Sequence, residues 1–441
     1  MKEQNSIPSS RISRSGKFIG TGIRIGGNYL KHYSKKLVNP RLDKEALNQD
    51  NAEDIYNSLS ELKGSALKVA QMLSMDRNLL PKAYTDRFSM AQYNAPPLSG
   101  PLIIKTFSKY FGKPPSALFD EFNLHSSNAA SIGQVHRARL NGKELAVKVQ
   151  YPGVAESISS DLKMVKPFAL KLMDVSEKEL RVYMQEVEEK LLEETDYELE
   201  MERSRYFTAQ CTLPGIVFPG YYPEFSCKKV ITMDWLEGQH LREFLLTNPS
   251  REARNQIGQA LWDFYNFQLH RLRAVHADPH PGNFLVLPGG KLGIIDFGCI
   301  KELPEDFYNP FFSFVCPEPL SGKEETIACF RQMQMILPED TEGQVEFYYR
   351  HYKEMIALFA LPYKSGEFDF GRDDYFRELY GYGEKVSKMK EFKQARGVKH
   401  FIYMNRTLFG LYNILNELKA RIRTDTYPAS VTGKPLPVTA L

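Results

Sequence analysis

An α+β fold is predicted, with a small strand-bearing part, a larger helical part and a helical extension ahead of both. Three observations predict it. Two alternating runs meet at Asn141-Gly142, the dipeptide that favours a two-residue hairpin turn. A second hairpin is expected where Leu285-Val286-Leu287 and Lys291-Leu292-Gly293-Ile294-Ile295 flank Pro288-Gly289-Gly290. From Leu241 onward apolar residues recur mainly at helical spacing. Ahead of these, Ile55, Leu59, Leu62, Ala66, Val69 and Leu73 step by four and three, which predicts a helix over residues 53–75. The predicted parts are 1–40, a basic and flexible segment; 41–100, the helical extension; 101–237, the small lobe; and 238–441, the large lobe.

Composition bounds the function. A chain of 441 residues suits two or three domains or one large bilobal one. Its 42% hydrophobic and 25% charged content fit a soluble globular protein. A net charge of +3 gives no case for a nucleic-acid partner. Cys211, Cys227, Cys299, Cys316 and Cys329 form no metal-ligand spacing and read as reduced thiols of a cytosolic protein. No apolar run of membrane-spanning length occurs; the nearest, 401–418, is broken by Asn405, Arg406, Asn413 and Glu417.

The first 40 residues carry Arg11, Arg14, Lys17, Arg24, Lys31, Lys35 and Lys36, with no acid between Ile7 and Asn39. Interleaved Ile12, Phe18, Ile19, Ile23, Ile25, Tyr29, Leu30 and Tyr33 suit contact with an anionic membrane surface. A transit-type presequence and a solvated tail are the competing readings, and glycines 16, 20, 22, 26 and 27 weaken any helix here. Lys68 and Gln71 share a face of the helix at 53–75 and, on spacing alone, are surface polars. A second short helix is expected near 102–111.

The chemistry concentrates in two stretches. His276-Ala277-Asp278-Pro279-His280-Pro281-Gly282-Asn283 is H-x-D-x4-N, and Asp296-Phe297-Gly298 follows across the second hairpin. This is the layout of a kinase catalytic loop and its metal-binding aspartate. Phosphoryl transfer needs a carboxylate near the attacking hydroxyl, here Asp278. It also needs an oxygen pair to hold Mg2+ against phosphates, here Asn283 and Asp296. Upstream, Ala129, Ala130, Ser131, Ile132, Gly133 and Gln134 form a small-residue loop whose backbone N–H groups can approach phosphates. Lys148 closes Ala146-Val147-Lys148 on the next strand, where a kinase places the lysine of the α/β-phosphates. A long acidic helix over 176–207 offers Glu194, Asp196 and Glu200 as its ionic partner, and residue chemistry does not choose among them. Val230-Ile231-Thr232-Met233-Asp234-Trp235 reads as a last small-lobe strand entering a hinge, with backbone from Met233 to Trp235 at the adenine edge. After Gly298 little chain precedes a helix start at Pro304-Glu305-Asp306, which leaves little room for a segment to dock a peptide. His280 stands where protein kinases have lysine. Both features favour a small-molecule or lipid-like substrate.

Together these motifs, with Glu194-Thr195-Asp196-Tyr197 and Tyr151-Pro152-Gly153, resemble the UbiB/AarF family of atypical kinase-like proteins. That family is associated with coenzyme Q and isoprenoid-lipid metabolism. The resemblance covers roughly residues 50–310 and implies a bilobal protein-kinase-like α+β fold. It recasts Lys68-Val69-Ala70-Gln71 as the family's K-x-G-Q motif, gating the site with Lys68 and Gln71 against Glu194 and Asp196. Glu200 is then the partner of Lys148. The alanine-rich loop implies nucleotide binding and slow, lipid-responsive ATPase activity rather than protein phosphorylation. Ala70 and Asn128 depart from the family pattern, which bears on helix approach and nucleotide preference.

The function expected is therefore an ATP- and Mg2+-dependent atypical kinase or ATPase supporting ubiquinone or isoprenoid-lipid metabolism. A catalytically weak nucleotide-binding scaffold and a soluble small-molecule kinase are the alternatives. Expected partners are a nucleotide and an anionic or isoprenoid lipid, with peripheral membrane contact and a homodimer also foreseen. The expected location is cytoplasmic or peripheral on a membrane, with organellar targeting in a eukaryotic cell.

Overall fold

The computed structural model describes residues 11–38, 45–62, 83–84, 87, 97–130, 132–173, 177–314, 322–393 and 396–425. Lys68, Ala70, Gln71, Ser131 and Cys316 lie outside them. The α+β class expected is observed. By internal contacts the chain divides into one unit of residues 1–202 and 220–235 and another of 203–219 and 236–441.

In the first unit, α1 (Arg11–Val38) is helical despite its glycines. It is held by α2 (Glu45–Leu62) through polar side chains. Arg24 Nη2 donates to Ser58 Oγ at 2.8 Å, and Asn28 Nδ2 donates to Asn51 Oδ1 at 3.1 Å and Asp54 Oδ2 at 2.8 Å. Thr21 and His32 are buried on the same stripe. These tertiary bonds offset the ~1 kcal/mol that each helical glycine costs. The opposite face bears Ile23 and Leu30, 71% and 76% exposed. The helix is therefore polar inward and apolar outward. The expected helix at 53–75 begins earlier, at Glu45, and its residues 63–75 lie outside the described set.

Helix α3 (Gly100–Phe111) starts on Pro101 and stops at Gly112, whose φ of 68° is open to glycine without strain. Its Ile103 and Phe107 bury into an apolar core with Leu145, Val147, Val149, Val230 and Ile231. Strands β1 (Glu121–Phe122), β2 (Asn128–Ala129), β3 (Gly133–Leu140) and β4 (Lys143–Gln150) follow. Leu140 pairs with Lys143 around Asn141 and Gly142, with φ 50° and 76°, the left-handed pair of the expected hairpin turn.

Helix α4 (Val154–Met173) leads to α5 (Glu177–Glu194) and α6 (Tyr197–Gln210). The single acidic helix expected over 176–207 is thus two. Asp196 ends the first and caps the second: its Oδ1 accepts from Glu198 N at 3.2 Å and Leu199 N at 3.3 Å. The chain makes β5 (Ile216–Val217) in the second unit, then β6 (Val230–Asp234) back in the first. The first unit's sheet runs β1-β3-β4-β6, with β2 beside β3.

The second unit opens with β7 (Gln239–His240), α7 (Leu241–Leu246) and α8 (Arg251–Phe267). Ser250 caps α8, accepting from Ala253 N at 3.2 Å. A π turn, Gln268–Leu272, widens the end of α8 and closes on Arg273 at φ 55°. Then come β8 (Ala274–His276), β9 (Phe284–Leu287), β10 (Lys291–Ile294) and β11 (Ile300–Glu302). Helices α9 (Glu305–Phe312), α10 (Lys323–Gln332) and α11 (Glu342–Ala360), strand β12 (Glu367–Asp369), helices α12 (Asp373–Ser387) and α13 (His400–Glu417), and β13 (Arg421–Arg423) complete it. The sheet β5-β10-β9-β7 and the pair β8-β11 stand against a core that includes Leu261, Trp262, Leu411, Tyr412 and Leu415.

Candidate functional site

Lys148 stands on β4, 6% exposed, and its Nζ donates to both Glu200 oxygens, at 2.8 and 3.0 Å. Of the three acids left open by residue chemistry, Glu200 is the one that meets it. Asp196 instead meets backbone amides, its Oδ1 capping α6. Glu200 sits in the first turn of α6, where the helix dipole favours an anion. The Tyr197 ring lies 5.0 Å from Lys148 Nζ. Glu194 is buried at the end of α5 and Asp196 half-buried.

The loop before β3 is tight. Ala130 N–H donates to Gly133 O at 2.9 Å. A Cβ on Gly133 would stand 2.5 Å from Val149 O and 2.8 Å from the Tyr197 hydroxyl, so only glycine fits. Ile132 is buried in the core, and Gln134 is 0% exposed with Oε1 accepting from Leu98 N at 2.7 Å. Those two side chains serve the fold, and the Ala130 amide is spent within the loop. Gln134 Nε2 also meets His136 Nε2 at 2.9 Å, while His136 Nδ1 meets Asn123 O at 2.8 Å. That pattern holds the ring neutral with its proton on Nδ1, and burial lowers its pKa from 6.5 to about 4. At the end of β6, Met233 is buried, and the Trp235 ring is covered by the Arg137 guanidinium at 4.9 Å. Asp234 N–H donates to Gly220 O at 2.8 Å and Trp235 N–H to Glu144 O at 2.9 Å, so these two amides are engaged within the unit.

In the second unit the π turn prepares the catalytic-loop stretch. Gln268 Oε1 accepts from His276 N at 2.8 Å. The His276 ring packs on Phe297, centroids 5.9 Å apart, and Phe297 on Phe207 of α6 at 5.3 Å. The Asp278 carbonyl accepts from Asn283 Nδ2 at 3.0 Å and His280 N at 2.7 Å. His280 Nδ1 accepts from Gly282 N at 3.0 Å, which shapes the turn rather than offering a charge. The β9–β10 hairpin pairs Phe284 with Ile294, and Ile295 N–H donates to Asn283 O at 3.2 Å. Asn283 and Asp296 are thereby neighbours at its open end. Gly298 N–H donates to Asp296 Oδ1 at 2.8 Å and fixes that carboxylate.

The donors at this end are hard oxygens, an amide and a carboxylate, which suit Mg2+. Asn283 Nδ2 donates to Asp278 O, so its amide oxygen is the atom it could offer a cation. Among the described residues no group of three or more His, Cys, Asp or Glu side chains is arranged to hold a metal by itself. A cation at Asn283 and Asp296 would draw its other ligands from water and phosphate.

One participant escaped the sequence reading. Arg406 Nη2 donates to Asp278 Oδ1 at 2.6 Å, with both side chains under a tenth exposed (9% and 7%). Arg406 belongs to α13, inspected in the sequence only as a failed membrane span. The same helix brings Tyr403 against Ala277 and Cys299. It also brings Gly410 so near Pro279 that a Cβ there would overlap Pro279 Cγ and stand 3.2 Å from its carbonyl oxygen. Residues 403, 406 and 410 are one helix face, set against three successive loop residues. Burial, and after it the Asp278 carboxylate, hold the Tyr265 hydroxyl well above its ordinary pKa.

Residues 90–317 match the family model described as an ABC1 atypical kinase-like domain. The chain is 29% identical over 327 residues to a probable serine/threonine-protein kinase, abkA, of Dictyostelium discoideum, covering 69% of this chain and 58% of that one. It is 27% identical over 436 residues to the mitochondrial atypical kinase COQ8B of Danio rerio, covering 95% and 68%. A solved structure of Rv3197 from Mycobacterium tuberculosis, in complex with erythromycin, aligns with a TM-score of 0.57 at 25% identity, covering 90% of this chain and 98% of that one.

Proposed function

The chain belongs to the ABC1 atypical kinase-like family, and from that premise we propose that it is an ATP- and Mg2+-dependent phosphotransferase or lipid-responsive ATPase that supports ubiquinone or related isoprenoid-lipid metabolism. The observation that carries this is the β9–β10 hairpin, which seats Asn283 and Asp296 together beside the loop of Asp278. Asp278 orients the attacking hydroxyl and accepts its proton. The acceptor oxygen bonds to the γ-phosphorus, the bond to the bridging oxygen breaks, and its electron pair leaves on ADP. Lys148, fixed by Glu200, supplies positive charge to the α/β-phosphates. Asn283 and Asp296 would hold Mg2+, which would supply positive charge to the phosphates.

Two observations support a substrate other than a protein. The stretch after Asp296 is used up in pairing: Ala277 N–H donates to Cys299 O at 2.8 Å, β11 pairs with β8, and Leu303 N–H donates to Arg273 O at 2.7 Å. Helix α9 then begins at Glu305. No described helix is long and apolar enough to cross a membrane. The apolar outer face of α1, with exposed Lys31 and Lys35 flanking it, supports peripheral contact with an anionic bilayer surface.

The test is phosphate release by the full chain with and without anionic, quinone-containing vesicles, beside a thermal-shift titration with Mg-ATP. Wild type is expected to be stabilised by Mg-ATP and to turn over faster on vesicles. Asp296→Asn is expected to lose the Mg-dependent part of the stabilisation. An unchanged shift in that variant removes the metal assignment, and binding without turnover in either condition makes the protein a scaffold.

A further inference from the structure

The catalytic-loop stretch Ala277–Asn283 contains no lysine or arginine, and its histidine is an acceptor in its own turn. The cation at Asp278 comes from α13, 128 residues downstream. We propose that Arg406 is a positioning residue for Asp278, and that the α13 face 403–406–410 is the bed on which the loop is set. This rests on the phosphoryl-transfer reading above.

The backbone of Asp278 is already clamped, its carbonyl taken by Asn283 Nδ2 and His280 N. Its side chain has a rotation of its own to hold. A charge-assisted hydrogen bond of 2.6 Å, under a tenth exposed on both sides, does that and stabilises the carboxylate charge. The arginine must itself be placed, and the neighbours place it. Tyr403 packs on Ala277 one turn before, and the bare Cα of Gly410 admits Pro279 one turn after. The Lys301 ammonium lies 4.7 Å from the Tyr403 ring, tying β11 to the same helix.

The experiment compares wild type, Arg406→Lys and Arg406→Gln as full chains in the vesicle-stimulated phosphate-release assay, with nucleotide-induced thermal shifts alongside. Arg406→Gln is expected to lower kcat about tenfold or more while the KM for ATP and the nucleotide shift stay within about twofold. Arg406→Lys is expected to recover part of the loss. In an Asp278→Asn background, adding Arg406→Gln should cost less than about twofold, because the arginine acts through the missing carboxylate. Should Arg406→Gln fail to fold, Arg406→Lys carries the test: a lowered kcat at unchanged KM supports the assignment. Turnover equal to or above wild type in the folded variants overturns it, as does an undiminished loss in the Asp278→Asn background. A wild-type chain that releases no phosphate removes the phosphoryl-transfer reading and this role together; an active wild type with unaffected variants removes this role alone.

Discussion

Glu200→Gln tests the buried pair of the first unit. Lys148 Nζ reaches both oxygens of Glu200, at 2.8 and 3.0 Å, with side chains 7% and 4% exposed. Removing the carboxylate charge leaves an ammonium buried beside a neutral amide. Breaking a buried pair of this kind costs about 3–5 kcal/mol, a large share of the roughly 5–15 kcal/mol that holds a domain folded. At about 2–4 °C per kcal/mol for a unit of this size, the first unit's unfolding midpoint should fall by roughly 6–20 °C. The apolar pair Lys148→Met with Glu200→Leu should restore most of that loss, because no charge is left to desolvate. The double variant should then be stable yet inactive, since no cation remains for the phosphates. Calorimetry with a urea titration reads the stability, and phosphate release the activity. A Glu200→Gln protein within about 1 kcal/mol of wild type, the range of an exposed pair, would refute the reasoning.

Three further outcomes are expected. Gly410→Ala forces a Cβ into Pro279 and should cost about 1–3 kcal/mol and slow turnover, read by urea denaturation and phosphate release. His136 has a folded pKa of about 4 against an ordinary 6.5, so the unfolded chain takes its proton first. Its contribution is intact above pH 6.5 and falls away as pH drops toward 4, about 3 kcal/mol in all. Denaturation midpoints at several pH values, compared with His136→Gln, should show the variant less acid-sensitive in that window. Ile23→Asp with Leu30→Asp on the exposed face of α1 should reduce sedimentation with anionic vesicles while leaving solution stability within about 0.5 kcal/mol.

Local signals carried the hairpins. Asn141-Gly142 dictates a turn by its own backbone preference, and Pro288-Gly289-Gly290 between apolar runs does the same, so both strand pairs were legible. The nearness of Asn283 and Asp296 was legible for the same reason, because the hairpin between them closes on Pro288-Gly289-Gly290. The break at Asp196 was readable in principle, since an aspartate two and three residues ahead of free amides is an N-cap, but a continuous run of glutamates masked it. Helix α1 was hidden for a different reason. Its glycines argue against a helix, and only the polar stripe facing α2, absent from any local pattern, outweighs them. Arg406 was the least legible. One arginine in an apolar run looks like an interruption until the helix is packed, and its partner lies 128 residues away.

That separation has a consequence during synthesis. Asp278 leaves the ribosome well before Arg406, and at about 5–20 residues per second the interval is roughly 6–25 s. For most of it, the nascent chain carries each motif of the 90–317 match but not the helix on which the loop is set. On the assignment made for Arg406, full turnover arrives only as the last described helix docks. A fragment cut at 317 lacks Arg406 and also Leu411, Tyr412 and Leu415 of the core, so it reports on neither the affinity nor the turnover of the folded chain.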